Sequence, residues 1–270
     1  MTSEPDNSTH PHMPTLHELG NDLLRVTPLR RLITLLLPFM AMGCYVLFAW
    51  LHWWPLAIVS VMALSFITYG SSSHDLVHRT LGLPHRVNDF LLSLIELFSL
   101  RSGTAYRLSH LHHHHHLLAR DDVEGSVAHG SLMGAIASGP TMQIRLWLWA
   151  WAKHAEVRPA LLLEATGIAV MIVGAAAALR WSPAPLVYVA LVVAGSWVFP
   201  LATVYIPHDA HGQTPLTRTR LFRGTFLRLI AFDHLYHLEH HLYPAVPHHH
   251  WKALADRLDP HCERAGVRQH

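Results

Sequence analysis

Four long apolar segments dominate the pattern of hydrophobic and polar positions along the chain. They cover residues 32–51, 54–70, 161–179 and 185–206, and Glu164 is the only acidic or basic residue inside them. A helix needs about 20 apolar residues to cross the hydrocarbon core of a bilayer. The pattern therefore predicts an all-α integral membrane protein with four transmembrane helices.

Two short connections join these segments into pairs. They cover residues 52–55 and 182–185, which is enough only for hairpins, so all other segments should lie on one side of the membrane. Of the 20 Lys and Arg residues, only Arg180 falls at such a hairpin, and positive side chains accumulate on the cytoplasmic side of membranes. We expect cytoplasmic termini, in a bacterial inner membrane or its equivalent, and a cytosolic helical cap built from residues 71–158 and 207–270.

Shorter segments add three expectations. Residues 16–27 have leucines at helical spacing, which predicts a short amphipathic helix on the membrane surface. Residues 88–100 are apolar but too short to span comfortably, and they contain Glu96, which indicates a re-entrant or interfacial segment. Residues 1–14 are polar and predicted to form a disordered tail, which leaves residues 15–270 as one membrane domain.

The composition favours a membrane protein and excludes some partners. Hydrophobic residues make up 51% of the chain and charged residues 14%, against about 25% charged in soluble domains. A net charge of +2 gives no reason to expect a nucleic-acid partner. The two cysteines, Cys44 and Cys262, are too few for a disulfide framework and are expected to serve in packing. Histidine is anomalous, since its 26 residues outnumber Lys and Arg together.

The histidines concentrate in three clusters close to the ends of apolar segments. These clusters are His74 with His78, His110 with His113 and His114, and His237 with His240 and His241. On a helix, residues three and four positions apart share a face, so each cluster can direct its imidazoles at one metal ion. Eight imidazoles exceed the four positions of a zinc site, and two metal ions account for them more simply. Imidazole suits iron, copper, zinc and nickel, so spacing leaves the metal open.

The middle cluster has a second possible register. His112, His115 and His116 repeat the spacing of His110, His113 and His114 within the same run of histidines. Spacing alone does not choose between the two sets.

These clusters resemble the histidine boxes of the membrane fatty acid desaturase/hydroxylase superfamily. The segment from Tyr236 to Pro247 matches its H-x2-E-H-H-L-[FY]-P-x-x-P pattern, and the segment from Ser109 to Glu124 is similar to its S-H-x2-H-H-x-H…D-D-x-[ED] run. The resemblance extends loosely over residues 32–250 and favours the register that begins at His110. It implies four membrane helices topped by a cytosolic helical cap that carries three histidine boxes and holds two iron ions, with O2 as cosubstrate.

The resemblance also implies a set of ligands. Carried over residue by residue, the iron ligands are His74, His78, His110, His113, His114, His237, His240 and His241. Members often add a histidine after the fourth span, for which His208 is the first candidate and His211 the second. Some members have Asn four residues before that histidine, where this chain has Val204.

The implied activity is O2-dependent oxidation of C–H bonds in a lipid chain taken from the membrane. A fatty acyl desaturase is favoured, because the third box is most similar to acyl desaturases, and a carotenoid or other lipid hydroxylase or ketolase is the alternative. No haem, flavin or ferredoxin motif is visible, so electrons should come from a separate donor of the ferredoxin or small-cytochrome type. A metal transporter is a remote alternative, since transporters place ligands within broken spans and the four predicted spans contain no histidine.

Other polar residues near the clusters and spans have two interpretations each. Four acidic residues could orient imidazoles or cap helices: Asp75, Asp121, Asp122 and Glu239. His234 and residues 248–250 are expected at the surface or as caps. Glu96 and Glu164 should lie near a membrane boundary or face a cavity, because charge inside a membrane is costly.

Overall fold

The protein is helical throughout the part that the computed structural model describes, residues 13–224, 234 and 236–270. Twelve α-helices are described: α1 Leu16–Leu19, α2 Pro28–Trp50, α3 Trp54–Gly70, α4 Ser72–His78, α5 His85–Phe98, α6 Gly103–His115, α7 Leu132–Lys153, α8 Arg158–Ala178, α9 Ala184–Gly195, α10 Pro215–Arg218, α11 His237–Leu242 and α12 Trp251–Arg264. Most of the predicted disordered tail, residues 1–12, lies outside the described residues.

Four helical segments are long and apolar enough to cross a membrane. They are Pro28–Trp50, Trp54–His78, Ala155–Ala178 and Ala184–Tyr205, which confirms the four predicted membrane helices. Large apolar side chains on them point away from the protein, such as Leu163 and Val173 in α8, as lipid-facing residues would. The cytoplasmic position of the remaining segments stays a prediction.

Two of these segments change their helical geometry near the end that adjoins the histidine-rich segments. The second bends at Ser71, whose φ of −142° and ψ of −81° separate α3 from α4. The fourth passes from α9 into a π-helical segment, Val198–Tyr205, and π-helical turns are frequent at functional sites. The bend places His74 and His78 on a short helix of their own.

The segment predicted to be re-entrant or interfacial, residues 88–100, coincides largely with α5, which forms a helical hairpin with α6. Its tip lies among the spans, because Leu100 packs against the apolar cluster around Tyr45 and Ala49. The Tyr188 hydroxyl of α9 also donates a hydrogen bond to the Phe98 carbonyl (2.9 Å). Helix α6 therefore starts deep in the protein and runs outward to the histidine run at its end.

A buried ion pair stabilises the tip of this hairpin. Glu96 and Arg101 are almost fully buried and form two hydrogen bonds, with Nε–Oε2 at 2.5 Å and Nη2–Oε1 at 2.8 Å. Arg101 also donates to the Thr68 hydroxyl (2.8 Å) and lies 3.6 Å above the ring of Tyr69. Glu96, expected near a boundary or a cavity, is thus neutralised by a partner inside the protein.

We expect Glu96→Gln to lower the free energy of unfolding by about 3–5 kcal/mol, because it leaves the Arg101 charge buried without a counter-ion. Denaturant unfolding of the detergent-solubilised protein measures the loss. The double variant Glu96→Gln/Arg101→Met should recover much of it, since both charges are then removed together. Equal stability of the single variant and the wild type would contradict this role.

A second buried carboxylate, Glu164 of α8, holds the start of α6. It accepts hydrogen bonds from Ser93 (2.5 Å), from Ser102, and from the backbone and hydroxyl of Thr104 (3.2 and 3.0 Å). Negative charge is favourable at a helix N-terminus. Glu164 therefore connects a membrane span to the helix that carries the second histidine cluster.

The N-terminal arm differs from its prediction. Gly20, with φ of 111°, divides the expected helix into α1 and a 3-10 helix, Asn21–Leu24. Leu19 and Leu23 are buried in an apolar cluster with Trp251 and Leu254 of α12. These two leucines thus pack against protein, and the position of the arm on the membrane surface stays a prediction.

Candidate metal centre

Nine histidine side chains from four parts of the chain converge at one end of the spans. Helices α4, α6 and α11 contribute eight of them, and the ninth follows the fourth span. The nine are His74, His78, His110, His113, His114, His208, His237, His240 and His241. These are the residues that the sequence singled out as candidate ligands, and the structure brings all of them into two groups.

The first group has five members, and one ring nitrogen of each lies within 4.8 Å of the others. His74 Nε2 lies 3.1 Å from both His110 Nε2 and His240 Nε2. His240 Nε2 lies 2.7 Å from His114 Nε2. The Nε2 of His78, the fifth member, is buried and has no hydrogen-bond partner in the part of the chain that the structure describes.

The second group has four members, again within 4.8 Å of one another. His208 Nε2 lies 3.2 Å from the Nε2 atoms of His113 and His241, and 3.3 Å from that of His237. His241 and His237, one turn apart on α11, have their Nε2 atoms 3.1 Å apart.

Two helices serve both groups. Helix α6 gives His110 and His114 to the first group and His113 to the second, while α11 gives His240 to the first and the other two members of its box to the second. This is the register that begins at His110. His211, the second candidate for the additional ligand, belongs to neither group.

Two carboxylates from the segment after α6 lie next to the Nδ1 atoms of two of these histidines. Asp122 Oδ2 lies 2.7 Å from His113 Nδ1, and Glu124 Oε1 lies 2.8 Å from His110 Nδ1. An ionised carboxylate only accepts, so each Nδ1 carries a proton and, in the neutral ring, Nε2 keeps the lone pair. This is the usual outer partner of a metal-bound histidine.

A backbone carbonyl holds His208 in the same tautomer. Its Nδ1 donates to the Val204 carbonyl (2.7 Å), so its Nε2 also presents a lone pair toward His113 Nε2, 3.2 Å away. Two lone pairs at this distance repel each other unless a cation lies between them. Two nitrogens bound at right angles to a metal, each about 2.1 Å from it, are about 3.0 Å apart. The donor set therefore fits a metal ion.

The electrostatics also suit metal binding. Burial, together with neighbouring imidazoles, holds the pKa values of His237, His240 and His241 well below the ordinary value. For His208 burial and His113 lower the pKa to about 3. Burial likewise opposes protonation of His113, but the hydrogen bond and charge of Asp122 outweigh it and raise that pKa. Neutral imidazole is the form that metals bind.

The other acidic candidates have different partners. Glu239 pairs with Arg223, which also binds Asp259 of α12. Asp75 accepts from the backbone N–H of His248 (3.0 Å) and lies 2.6 Å from its Nδ1. In the described part of the chain, neither of these two carboxylates forms a hydrogen bond with the nine histidines, so they hold surrounding segments together.

His234 and His248, which were expected at the surface or as caps, are both buried. Both are 8% exposed. The His234 ring lies directly over Gly70, where a Cβ would come within 2.2 Å of its Cε1 atom. Glycine at the end of α3 thus makes room for the ring, and the carboxylate of Asp75 provides a buried partner for His248.

A small cavity of about 20 Å³ adjoins both groups. Its lining includes His74 and His110 from the first group, His237 from the second, and the rings of Tyr69 and Trp251. A volume of this size accommodates about one water-sized molecule. The arrangement can therefore bring a very small molecule to the two groups while bulk water is kept out.

Comparison with known proteins extends over most of the chain. The model of one protein family, described as fatty acid desaturase, matches residues 48–270. No curated protein matches the chain. The matched region contains all nine of the converging histidines.

Proposed function

Because the chain belongs to the fatty acid desaturase family, we propose that it is an integral membrane oxidoreductase that uses O2 and two iron ions to desaturate a fatty acyl chain. One observation supports this most: nine imidazoles converge as two groups at one end of four apolar helices. The family establishes a desaturase- or hydroxylase-type lipid oxidoreductase. The choice of a desaturase rests on the third box.

The nine histidines would hold the ions as two separate sets. One ion would be bound by His74, His78, His110, His114 and His240, and the other by His113, His208, His237 and His241. Five imidazoles exceed the four positions of a structural zinc site, whereas imidazole also suits iron. When bound, the pair of ions supplies the reduction of O2 that makes removal of hydrogen from an unactivated C–H bond possible.

The chain's own residues would prepare and protect this chemistry. Glu124 and Asp122 hold the rings of His110 and His113 in the tautomer that presents Nε2 to a metal. Tyr69, Tyr106 and Phe199 close the small cavity beside the ligands and limit the access of water. Exclusion of water prevents side reactions of a strong oxidant.

The overall reaction needs an external source of electrons. A CH2–CH2 unit loses two hydrogen atoms and becomes a cis or trans double bond, while O2 takes up these atoms, two electrons and two protons to give two water molecules. The electrons would come from a separate one-electron carrier of the ferredoxin or small-cytochrome type. The substrate would enter from the membrane, with both termini and the metal centre on the cytoplasmic side.

We expect expression in a host of known lipid content to produce an acyl chain that has lost two hydrogen atoms. Mass spectrometry of fatty acids and carotenoids measures this, with the His113→Ala variant and the empty host as controls. A gain of one oxygen atom would identify a hydroxylase instead. The absence of both changes in a protein that holds iron and has an electron donor would contradict the proposed activity.

A further inference from the structure

The histidine run on α6 has a second face that the two groups leave unused. His112 and His116 lie one turn apart on this face, and their rings stack with centroids 4.2 Å apart and planes 15° apart. Asp121 follows in the next turn. Its Oδ2 lies 3.3 Å from His112 Nε2, and its Oδ1 lies 3.9 Å from His116 Nδ1.

We propose that His112, His116 and Asp121 form a third metal site, for a divalent ion of the zinc type. One ligand atom from each lies within 4.8 Å of the other two. Two ligands of a tetrahedral zinc ion, each about 2.1 Å from the metal, are about 3.4 Å apart, close to the separation of His112 and Asp121. Two imidazoles and one carboxylate leave the fourth position for water, as in open zinc sites.

The hydrogen bonding of His112 points to an ion and not to a direct contact. Its Nε2 atom is buried and has no hydrogen-bond partner among the described residues, although a carboxylate oxygen lies only 3.3 Å away. Two ligands of one metal lie at about this distance without a bond between them, and the exposed His116 ring would turn out of its stack with His112 to supply the third. His116 and Asp121 are about half exposed, so solvent ions can reach the site.

The third site is separate from the nine-histidine centre but mechanically connected to it. An ion held by His112, His116 and Asp121 would tie the end of α6 to the turn that follows it. The next residue in that turn, Asp122, holds the ring of His113. The fluorescence of Trp149 can report on ion binding at this site, because its indole ring lies 5.0 Å from the His112 ring.

Zinc binding to the full-length protein in detergent tests this site. Equilibrium dialysis against Zn2+, followed by elemental analysis, should show that wild type holds one equivalent more than His112→Ala and one more than Asp121→Asn. His115→Ala is the matched control, because His115 is exposed in the same run and belongs to none of the metal-binding groups. It should retain the full amount. All four proteins have the same nine-histidine centre, so the difference does not depend on the proposed function.

A second measurement distinguishes loss of the third site from misfolding of the His112→Ala variant. Cu2+ should quench part of the tryptophan fluorescence of wild type, and Trp149→Phe or Asp121→Asn should remove that part. Asp121 is exposed, so its replacement by Asn should leave the fold intact. Equal Zn2+ content in wild type and Asp121→Asn, or quenching that Asp121→Asn leaves unchanged, would overturn the third site.

Discussion

We expect the purified His240→Ala protein to hold about one iron ion in place of two and to form no oxidised lipid. The His240 Nε2 atom lies 3.1 Å from that of His74 and 2.7 Å from that of His114, so the change removes a nitrogen from the middle of the first group. The second group keeps all four of its members. Both ions are required for the proposed reaction, so the loss of one should abolish it.

The matched variant His237→Ala should give the same iron content for the opposite reason. His237 lies on the same helix, but its Nε2 atom faces His208 and His241 in the second group. Elemental analysis and lipid mass spectrometry measure both properties, and His115→Ala, whose ring belongs to neither group, should retain two ions and full activity. If either His240→Ala or His237→Ala keeps both ions, the division of the histidines into two ligand sets is wrong.

The second large effect should come from Glu124, which contacts the proposed ligand His110 but belongs to neither proposed ligand set. We expect Glu124→Ala to weaken iron binding or lower activity by about 10- to 100-fold, as loss of such outer partners commonly does. Without the carboxylate, the His110 Nδ1–H loses its acceptor, which lies 2.8 Å away. The ring can then rotate, or its proton can move from Nδ1 to Nε2. Competition with a chelator measures the affinity for iron.

Glu124→Gln separates this orienting role from simple packing. Its amide oxygen can still accept the His110 Nδ1–H, so part of the affinity should return although the charge is gone. Asp89→Asn, a change at a half-exposed carboxylate that pairs with Arg79, should leave iron binding unchanged. Equal affinity of wild type and Glu124→Ala would show that Glu124 does not position His110.

Several features of the protein were accessible from local patterns in the chain. The apolar segments are recognisable because a bilayer requires a fixed length of apolar helix, and the structure has four helical segments that meet this requirement. The three histidine clusters are recognisable because helical spacing puts their members on one face. Both signals depend only on residues that are close together in sequence.

The sequence alone left the choice between the two registers open, and the resemblance to a known family was needed to favour one. The structure shows why spacing could not decide. His112 and His116 have the same separation as His110 and His114, but only the latter pair faces α4 and α11. Which face of a helix is buried depends on the elements packed around it, and a repeated residue carries no information about that.

Contacts between segments that are far apart in sequence could not be predicted from the sequence. Asp75 binds His248, 173 positions away in the chain, and Glu239 is neutralised by Arg223 from outside its helix. Glu124 was part of a recognised motif, yet its bond to His110 requires the turn after α6 to fold back. The sequence by itself determined four membrane helices and three clusters of histidines that could bind metal, because length and periodicity are local properties. Only the tertiary structure decided which histidines share a site and which carboxylates orient them, because those pairings exist only once the helices pack.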